Sequence, residues 1–427
     1  MQMTKAYLIR CGKLYDGMND TLWENREILV RGNRIEAVGA PGEPLVRPES
    51  VEILDLSGAT VTPGMIDAHV HLSFFDWRKK RHENIFNSPT YKTLAVLYSA
   101  RKALARGFTS IRHVGCSSFD AYGSIDVKRT IEAGYFDGPR LVVAPMYIGT
   151  TGGPGDHSQA LKTNYMMAAS MQGHYPSIGS GADFFRNAVR EMQKLGADFI
   201  KLFVSGSFYS PDSSPDIVYF SDEEMKAVID TAHSLKMTVT AHAYSPEAMQ
   251  RLVRLGIDGI EHGALMDGDT ARMMEESGTY LVPTFCPYDE VISGNWENLE
   301  KQDMREKLRY YAPRLVEGRK RIMSSRIKLG YGTDIVQLHN NYDCGYEYSC
   351  WLRSGMDPFR ALRAATQTNA SILGIKGVGA IDPGALADLA AWKRDLLTDH
   401  TALLDCAFVM KDGKIYDPEP SQEAANL

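Results

Sequence analysis

Val61-Thr62-Pro63-Gly64-Met65-Ile66-Asp67-Ala68-His69-Val70-His71-Leu72 is an apolar run that leaves a Pro-Gly turn and carries two histidines one residue apart. Alternate side chains of an extended strand point the same way. His69 and His71 therefore share a face and can converge on one metal ion. In isolation the pair reads more readily as two structural histidines bonded to backbone or water, so the rest of the chain must supply further ligands.

Downstream, strand-like runs alternate with helical ones, at 66–72, 109–114, 140–148, 199–204, 238–243, 259–261, 280–285 and 328–331. The clearest helix opens at Ser221, with Glu224 three residues on as a capping box and Met225, Val228, Ile229 and Ala232 along one face. Eight β-then-α units within residues 63–379 predict an α/β fold, a closed (β/α)8 TIM barrel whose chemistry sits at the C-terminal ends of its strands. A doubly wound open sheet is the alternative. The glycine-rich stretch from Gly149 to Gly155 has the wrong spacing for a dinucleotide fingerprint and a proline in its turn.

Both ends of the chain are built differently. Short alternating runs at 6–14, 26–30, 34–38 and 51–56 surround a Gly32-Asn33 hairpin signal, and runs at 387–392, 407–410 and 414–416 surround Asp412-Gly413. Neither end has enough strands to bury a face alone. Residues 1–62 and 380–427 are therefore expected to join into one small discontinuous β-sandwich domain around the barrel. Three connections are too long for simple turns, at 149–182, 205–220 and 287–307, and read as lid or substrate-pocket loops.

The chain has 427 residues, 44% hydrophobic and 23% charged, with a formal net charge of −6. That balance fits a soluble globular protein and offers no basic face for nucleic acid or lipid. The N-terminal stretch lacks the apolar core of a signal peptide, so a cytoplasmic location away from the membrane is expected. Six cysteines without C-x-x-C spacing argue against a disulfide framework and a thiolate zinc site; reduced, mostly buried thiols are expected.

The polar residues that interrupt the barrel strands carry the chemistry. Lys201 stands inside an apolar run, where lysine is rarely buried without a purpose. Desolvation pushes a lysine towards its neutral amine, which can capture carbon dioxide as a carbamate, an anionic oxygen donor able to bridge two metals. An ammonium paired with a carboxylate at the barrel mouth is the other reading. His242, His262 and Asp334 each fall where a strand gives way to a loop. Together with His69 and His71 they predict a metal site. Nitrogen and oxygen ligands without thiolate suit zinc, with manganese, iron and nickel compatible.

The set His69-x-His71, Lys201, His242, His262 and Asp334, led by the Thr-Pro-Gly-Met-Ile-Asp-Ala-His-Val-His stretch, resembles the binuclear amidohydrolase superfamily. Within it the likeness is to imidazolonepropionase-related hydrolases that include prolidase-like dipeptidases and ochratoxin-type amidases. The resemblance covers nearly the whole chain. It implies that His69, His71 and Asp334 hold one divalent ion, His242 and His262 a second, and carbamylated Lys201 bridges them with a hydroxide. Asp334 would be general base and then general acid. Tyr244, two residues after His242, could donate a hydrogen bond to the developing oxyanion or simply pack at the strand end. His157 and His339 lie on loops above the presumed site as substrate contacts, and His113 reads as a supporting or core residue.

The implied activity is hydrolysis of an amide-type C–N bond in an N-acyl amino acid or dipeptide, by a homo-oligomer acting on a small molecule. One departure matters. Dipeptidase-like relatives often carry Gly-Gly-His-Gly after strand three, whereas this chain has Pro154 there and His157 three positions later. A urea, carbamate or thiocarbamate substrate therefore competes. A mononuclear deaminase, or a cyclic-amide hydrolase of the imidazolonepropionase type, is a further alternative, although deaminases tend to carry an acidic residue shortly after the strand-five histidine and Ala-Tyr-Ser follows His242 here.

Overall fold

The structure is a computed structural model that describes residues 5–40, 43, 45–46, 48–73, 87–116, 122–156, 166, 176–208, 213–294, 302–335, 342–419 and 421. His157 and His339 lie outside the described residues.

Strands from both termini share one hydrogen-bonded sheet. β1 (Ala6–Leu14), β3 (Glu27–Arg31), β4 (Arg34–Gly39) and β5 (Glu52–Pro63) come from the N-terminal part, and β15 (Leu389–Trp392), β16 (Cys406–Lys411) and β17 (Lys414–Tyr416) from the C-terminal part. Their order is β17-β16-β15-β5-β1-β3-β4, with the two-residue β2 (Trp23–Glu24) paired to β1. The join is the antiparallel pairing of β5 with β15, Pro63 opposite Leu389. A separate apolar cluster, including Ile9, Ile28, Val30, Val61, Leu389 and Met410, covers this sheet.

Gly64 alone separates β5 from β6 (Met65–Val70), so the organising stretch leaves the terminal sheet and enters the barrel-type strands within one residue. Only glycine fits. A Cβ at Gly64 would lie 2.2 Å from the Thr109 hydroxyl oxygen, closer than any side chain tolerates.

Parallel strands follow in two groups. β6, β7 (Phe108–His113) and β8 (Arg140–Val143) form one, and β11 (Ile200–Phe203), β12 (Val239–Ala243), β13 (Gly259–His262) and β14 (Tyr280–Val282) the other. The small pair β9 (Gly149–Thr150) and β10 (Ile178–Gly179) lies in the long connection after β8. Backbone bonds link the groups: the Ile148 amide donates to the Lys201 carbonyl (2.7 Å), and the Phe203 amide to the Ile148 carbonyl (2.9 Å). At the other end, the Gly330 amide donates to the Leu281 carbonyl (2.8 Å), and the Ala68 amide on β6 to the Tyr331 carbonyl (2.8 Å).

Segment 328–331, read as a strand in the sequence, is joined to β14 by a single bridge, Leu281 to Leu329. The reason is local: the Tyr331 amide donates to the Asn369 side chain (3.1 Å) instead of continuing a ladder. The strands β6, β7, β12, β13 and β14 are buried along their whole length, as parallel strands covered on both faces must be. Around them the helix Asp222–Ser234 starts at Ser221 with both bonds of the capping box present, and Met225, Val228, Ile229 and Ala232 are buried.

All six cysteines are free and buried. Cys286 and Cys350, distant in sequence, lie with sulfurs 3.9 Å apart. Among the described residues no helix is long and apolar enough to cross a membrane.

Candidate metal centre

Strand β6 carries Asp67 and His69, and His71 follows directly after its end, so period-two geometry sets the three on one face. Asp67 is the anchor. Its carboxylate accepts from the His69 amide (2.9 Å), the Thr333 amide (3.2 Å) and the Thr333 hydroxyl (2.6 Å), tying the strand to the segment that carries Asp334. Asp334 in turn donates its amide to the His69 carbonyl (2.8 Å). Gly332 permits this closeness, since a Cβ there would lie 2.7 Å from that of His69.

One donor atom each from His69, His71 and Asp334 gathers within 4.8 Å of the others. His69 Nε2 lies 3.6 Å and His71 Nε2 3.5 Å from the same Asp334 oxygen. The other ring nitrogens are engaged: Nδ1 of His69 with Glu261 (2.6 Å) and Nδ1 of His71 with the Gly115 carbonyl (2.6 Å). Each acceptor places the proton on Nδ1 and leaves the Nε2 lone pair for a metal. His69 Nε2 is buried without a hydrogen-bond partner, an orphan that a divalent cation would satisfy.

His242 and His262 adjoin this corner, with ring centroids 4.6 Å apart and His262 4.9 Å from His69. His262 Nδ1 meets the Thr284 hydroxyl at 2.7 Å, and His242 Nε2 lies 3.4 Å from the Gly206 carbonyl while its ring stacks on Phe203 at 3.9 Å. These contacts engage His262 Nδ1 and His242 Nε2, so the ring nitrogens they leave are His262 Nε2 and His242 Nδ1. Lys201 on β11 is buried beside them.

Simple strand alternation would set Glu261 and His262 on opposite faces. Both nevertheless reach His69, because His262 adopts a left-handed backbone at φ 75°. Thr284 and Asp334 do the same at φ 47°, so three of the six left-handed non-glycine residues among those described meet here. Such conformations cost about 1–3 kcal/mol each and persist where surrounding structure imposes them.

Burial dominates the electrostatics. It holds His69, His242 and His262 well below the usual histidine range and His71 at about 3, with the charge of Lys201 adding to the effect. The rings are thus neutral, as ligands must be. Burial also pushes Lys201 down towards the amine, opposed by Glu261 and Asp334, and pushes Asp334 up, opposed by Lys201. Neutral imidazoles, a buried lysine and a carboxylate without thiolate fit divalent ions of the zinc type.

Tyr244 is buried beside the histidines, its ring centroid 4.4 Å from His242 and 5.2 Å from His262. Its hydroxyl accepts from Tyr288 (2.9 Å), a partner the sequence reading did not identify. Phe208 packs edge-on against both tyrosines and against Tyr311, so an aromatic wall of these four rings stands next to the centre; Tyr288 and Tyr311 sit on the helices Cys286–Ser293 and Gln302–Ser324, where the sequence suggests a loop over 287–307. His113 supports rather than joins it: its Nδ1 accepts from the Leu72 amide at 3.2 Å, and its ring lies 6.4 Å from His71. Glu261 and Asp67 also went unassigned from the sequence. Their signal was there, a carboxylate inside each of two apolar strands.

Known proteins resemble this chain along nearly its whole length. A solved Xaa-Pro dipeptidase with methionine bound in its active site is 30% identical, with a TM-score of 0.84 over 96% of this chain and 100% of that one. Ochratoxinase from Aspergillus niger is 24% identical over 96% of this chain and 87% of its own length. Phenylurea hydrolase B, at 20% identity and a TM-score of 0.80 over 97% of each chain, shares the fold. Residues 60–416 match the amidohydrolase family model, so the chain belongs to the amidohydrolase family, in a prolidase- and ochratoxinase-like group, and is a hydrolase of amide-type bonds on a TIM-barrel type of α/β fold.

Proposed function

We propose that this protein is a metal-dependent hydrolase that cleaves the amide C–N bond of an N-acyl amino acid or dipeptide. The observation that carries the reading is the convergence of His69, His71 and Asp334 within 4.8 Å, with His69 Nε2 buried and unpartnered. In this reading residues 63–379 form a closed eight-stranded barrel, and residues 1–62 with 380–427 a β-sandwich beside it. The protein is cytoplasmic and homo-oligomeric, acting on a small molecule rather than nucleic acid or membrane.

His69, His71 and Asp334 would hold one ion and His242 and His262 another, with Lys201 as a carbamate between them. When bound, zinc-type ions would supply Lewis acidity towards a carbonyl oxygen and make a water more acidic at neutral pH. Asp334 would take a proton from the attacking water and deliver it to the leaving amine as the C–N bond breaks, acting as general base and then general acid. Tyr244 donates its hydroxyl proton to the developing oxyanion, and the bond it accepts from Tyr288 fixes the direction in which that proton points. The aromatic wall excludes water from this side.

Pro154 favours a second reading. It stands where the resemblance to dipeptidase-like hydrolases implies a histidine, which weakens a simple transfer of dipeptide specificity and leaves a urea, carbamate or thiocarbamate substrate in competition. Two measurements separate the possibilities. Metal analysis of the purified protein is expected to give about two zinc-type ions per chain; one would favour a mononuclear deaminase or cyclic-amide hydrolase, and none would overturn the metal reading. Turnover of dipeptides, N-acyl amino acids, ureas and carbamates by the zinc-loaded protein then assigns the substrate, with activity confined to ureas or carbamates defeating the first reading.

A further inference from the structure

We propose that Glu261, held by Arg112 and Thr240, is a positioning residue that selects the metal-binding tautomer of His69. This rests on the metal reading above and adds to it a group outside the ligand set. Glu261 is fully buried, yet three donors converge on its carboxylate from three other strands. His69 Nδ1 meets one oxygen at 2.6 Å, while Arg112 Nη2 at 2.6 Å and the Thr240 hydroxyl at 2.5 Å both donate to the other. Arg112 is itself fixed, donating to the Ala68 carbonyl (2.5 Å) and the Tyr280 hydroxyl (2.9 Å). A buried arginine needs a carboxylate, and a buried carboxylate needs donors.

The consequence for His69 follows from the number of acceptors. An ionised carboxylate only accepts, so the proton of the neutral imidazole must sit on Nδ1 and the lone pair on Nε2, the atom that faces His71 and Asp334. A ring whose far nitrogen is held in this way is fixed in orientation and is a more basic ligand. No neutral side chain of the same shape satisfies all three donors. The glutamine amide has one oxygen and one NH2 group. If the oxygen faces Arg112 and Thr240, the NH2 drives His69 into the other tautomer, whose Nε2 carries a proton and cannot ligate. If the amide turns round, NH2 meets the guanidinium and the hydroxyl.

The test is Co2+ binding by the purified apo-protein, followed by chelator competition and by the visible absorption of the bound ion. Wild type is expected to take up two ions. Glu261→Gln should bind one of them with affinity lowered about 10–100-fold and an altered visible spectrum, with the other ion unaffected. Wild-type affinity and spectrum for both ions in a folded Glu261→Gln protein would overturn the proposal. If that variant does not fold, Thr240→Val, which removes one donor and keeps the carboxylate, should weaken the same ion by a smaller factor; no change there would overturn it equally. Wild-type protein that takes up no Co2+ instead removes the metal reading on which the proposal stands.

Discussion

The two corners of the centre are built from different materials. Around His69 and His71, a buried carboxylate and a glycine carbonyl hold the far nitrogens at 2.6 Å, and Asp334 is already beside the near ones. Around His242 and His262 the holding groups are neutral: a threonine hydroxyl at 2.7 Å and a carbonyl at 3.4 Å. Of these four bonds only that from His69 to Glu261 is charge-assisted, and such bonds are roughly twice as strong as neutral ones. The first corner is organised before metal arrives; the second depends more on the metal itself and on Lys201.

The largest effect should come from the group that joins the corners. Lys201→Ala is expected to abolish turnover and lose the bridge, with partial recovery on adding short-chain carboxylic acids that stand in for the carbamate; full activity in that variant would dismiss the bridge. Asp334→Asn tests the first corner alone. It should retain much of the metal while turnover falls about 10²–10⁴-fold, the range for a lost general acid–base group. Near-normal steady-state turnover would remove Asp334 from proton transfer.

Acid separates both corners from the rest of the fold. His69, His71, His242, His262 and His113 all have folded pKa values lowered by burial, His113 to about 4. A histidine depressed below its unfolded value of 6.5 binds fewer protons in the native state, so its stabilisation is present above pH 6.5 and is lost as pH falls towards the folded pKa. Each contributes a slope of up to about 1.4 kcal/mol per pH unit. Burial raises the Asp67, Asp334 and Glu347 carboxyls, which opposes the histidines over the same range, so the midpoint of thermal melts of the metal-free protein should fall as pH drops from 6.5 to 5, by less than the five histidines alone would give. A flat profile over that window would contradict the burial of these rings.

How much of this was legible beforehand differs between the same regions. The face shared by His69 and His71 follows from strand periodicity, and Ser221-x-x-Glu224 announced its helix because capping is local chemistry. Strands of the two termini share one sheet, in keeping with hairpin signals at both ends that left strands without partners. What could not be read depends on left-handed backbone at non-glycine residues. Nothing in Gly259-Ile-Glu-His262 says that His262 leaves the strand alternation, so Glu261 and His262 could not both be aimed at His69. The Tyr244–Tyr288 and Cys286–Cys350 contacts are likewise products of tertiary packing across 44 and 64 residues of chain.

The smallest expected effect sharpens the contrast most. In a stepwise chelator titration of the two-metal protein, the ion at His242 and His262 should leave first, because its ligands are oriented by weaker neutral bonds. Thr284→Val removes the hydroxyl from His262 Nδ1 with almost no change in volume. The buried ring nitrogen is then unsatisfied, a loss of about 1–3 kcal/mol, which should widen the gap between the two release steps by lowering only the weaker affinity. Thr284 also sits at φ 47°, a conformation that costs a β-branched residue whether it is threonine or valine, so the backbone strain is carried equally by both proteins and the comparison isolates the hydroxyl. Release of both ions together, or earlier loss from the His69 corner, would reverse the ranking of the two halves.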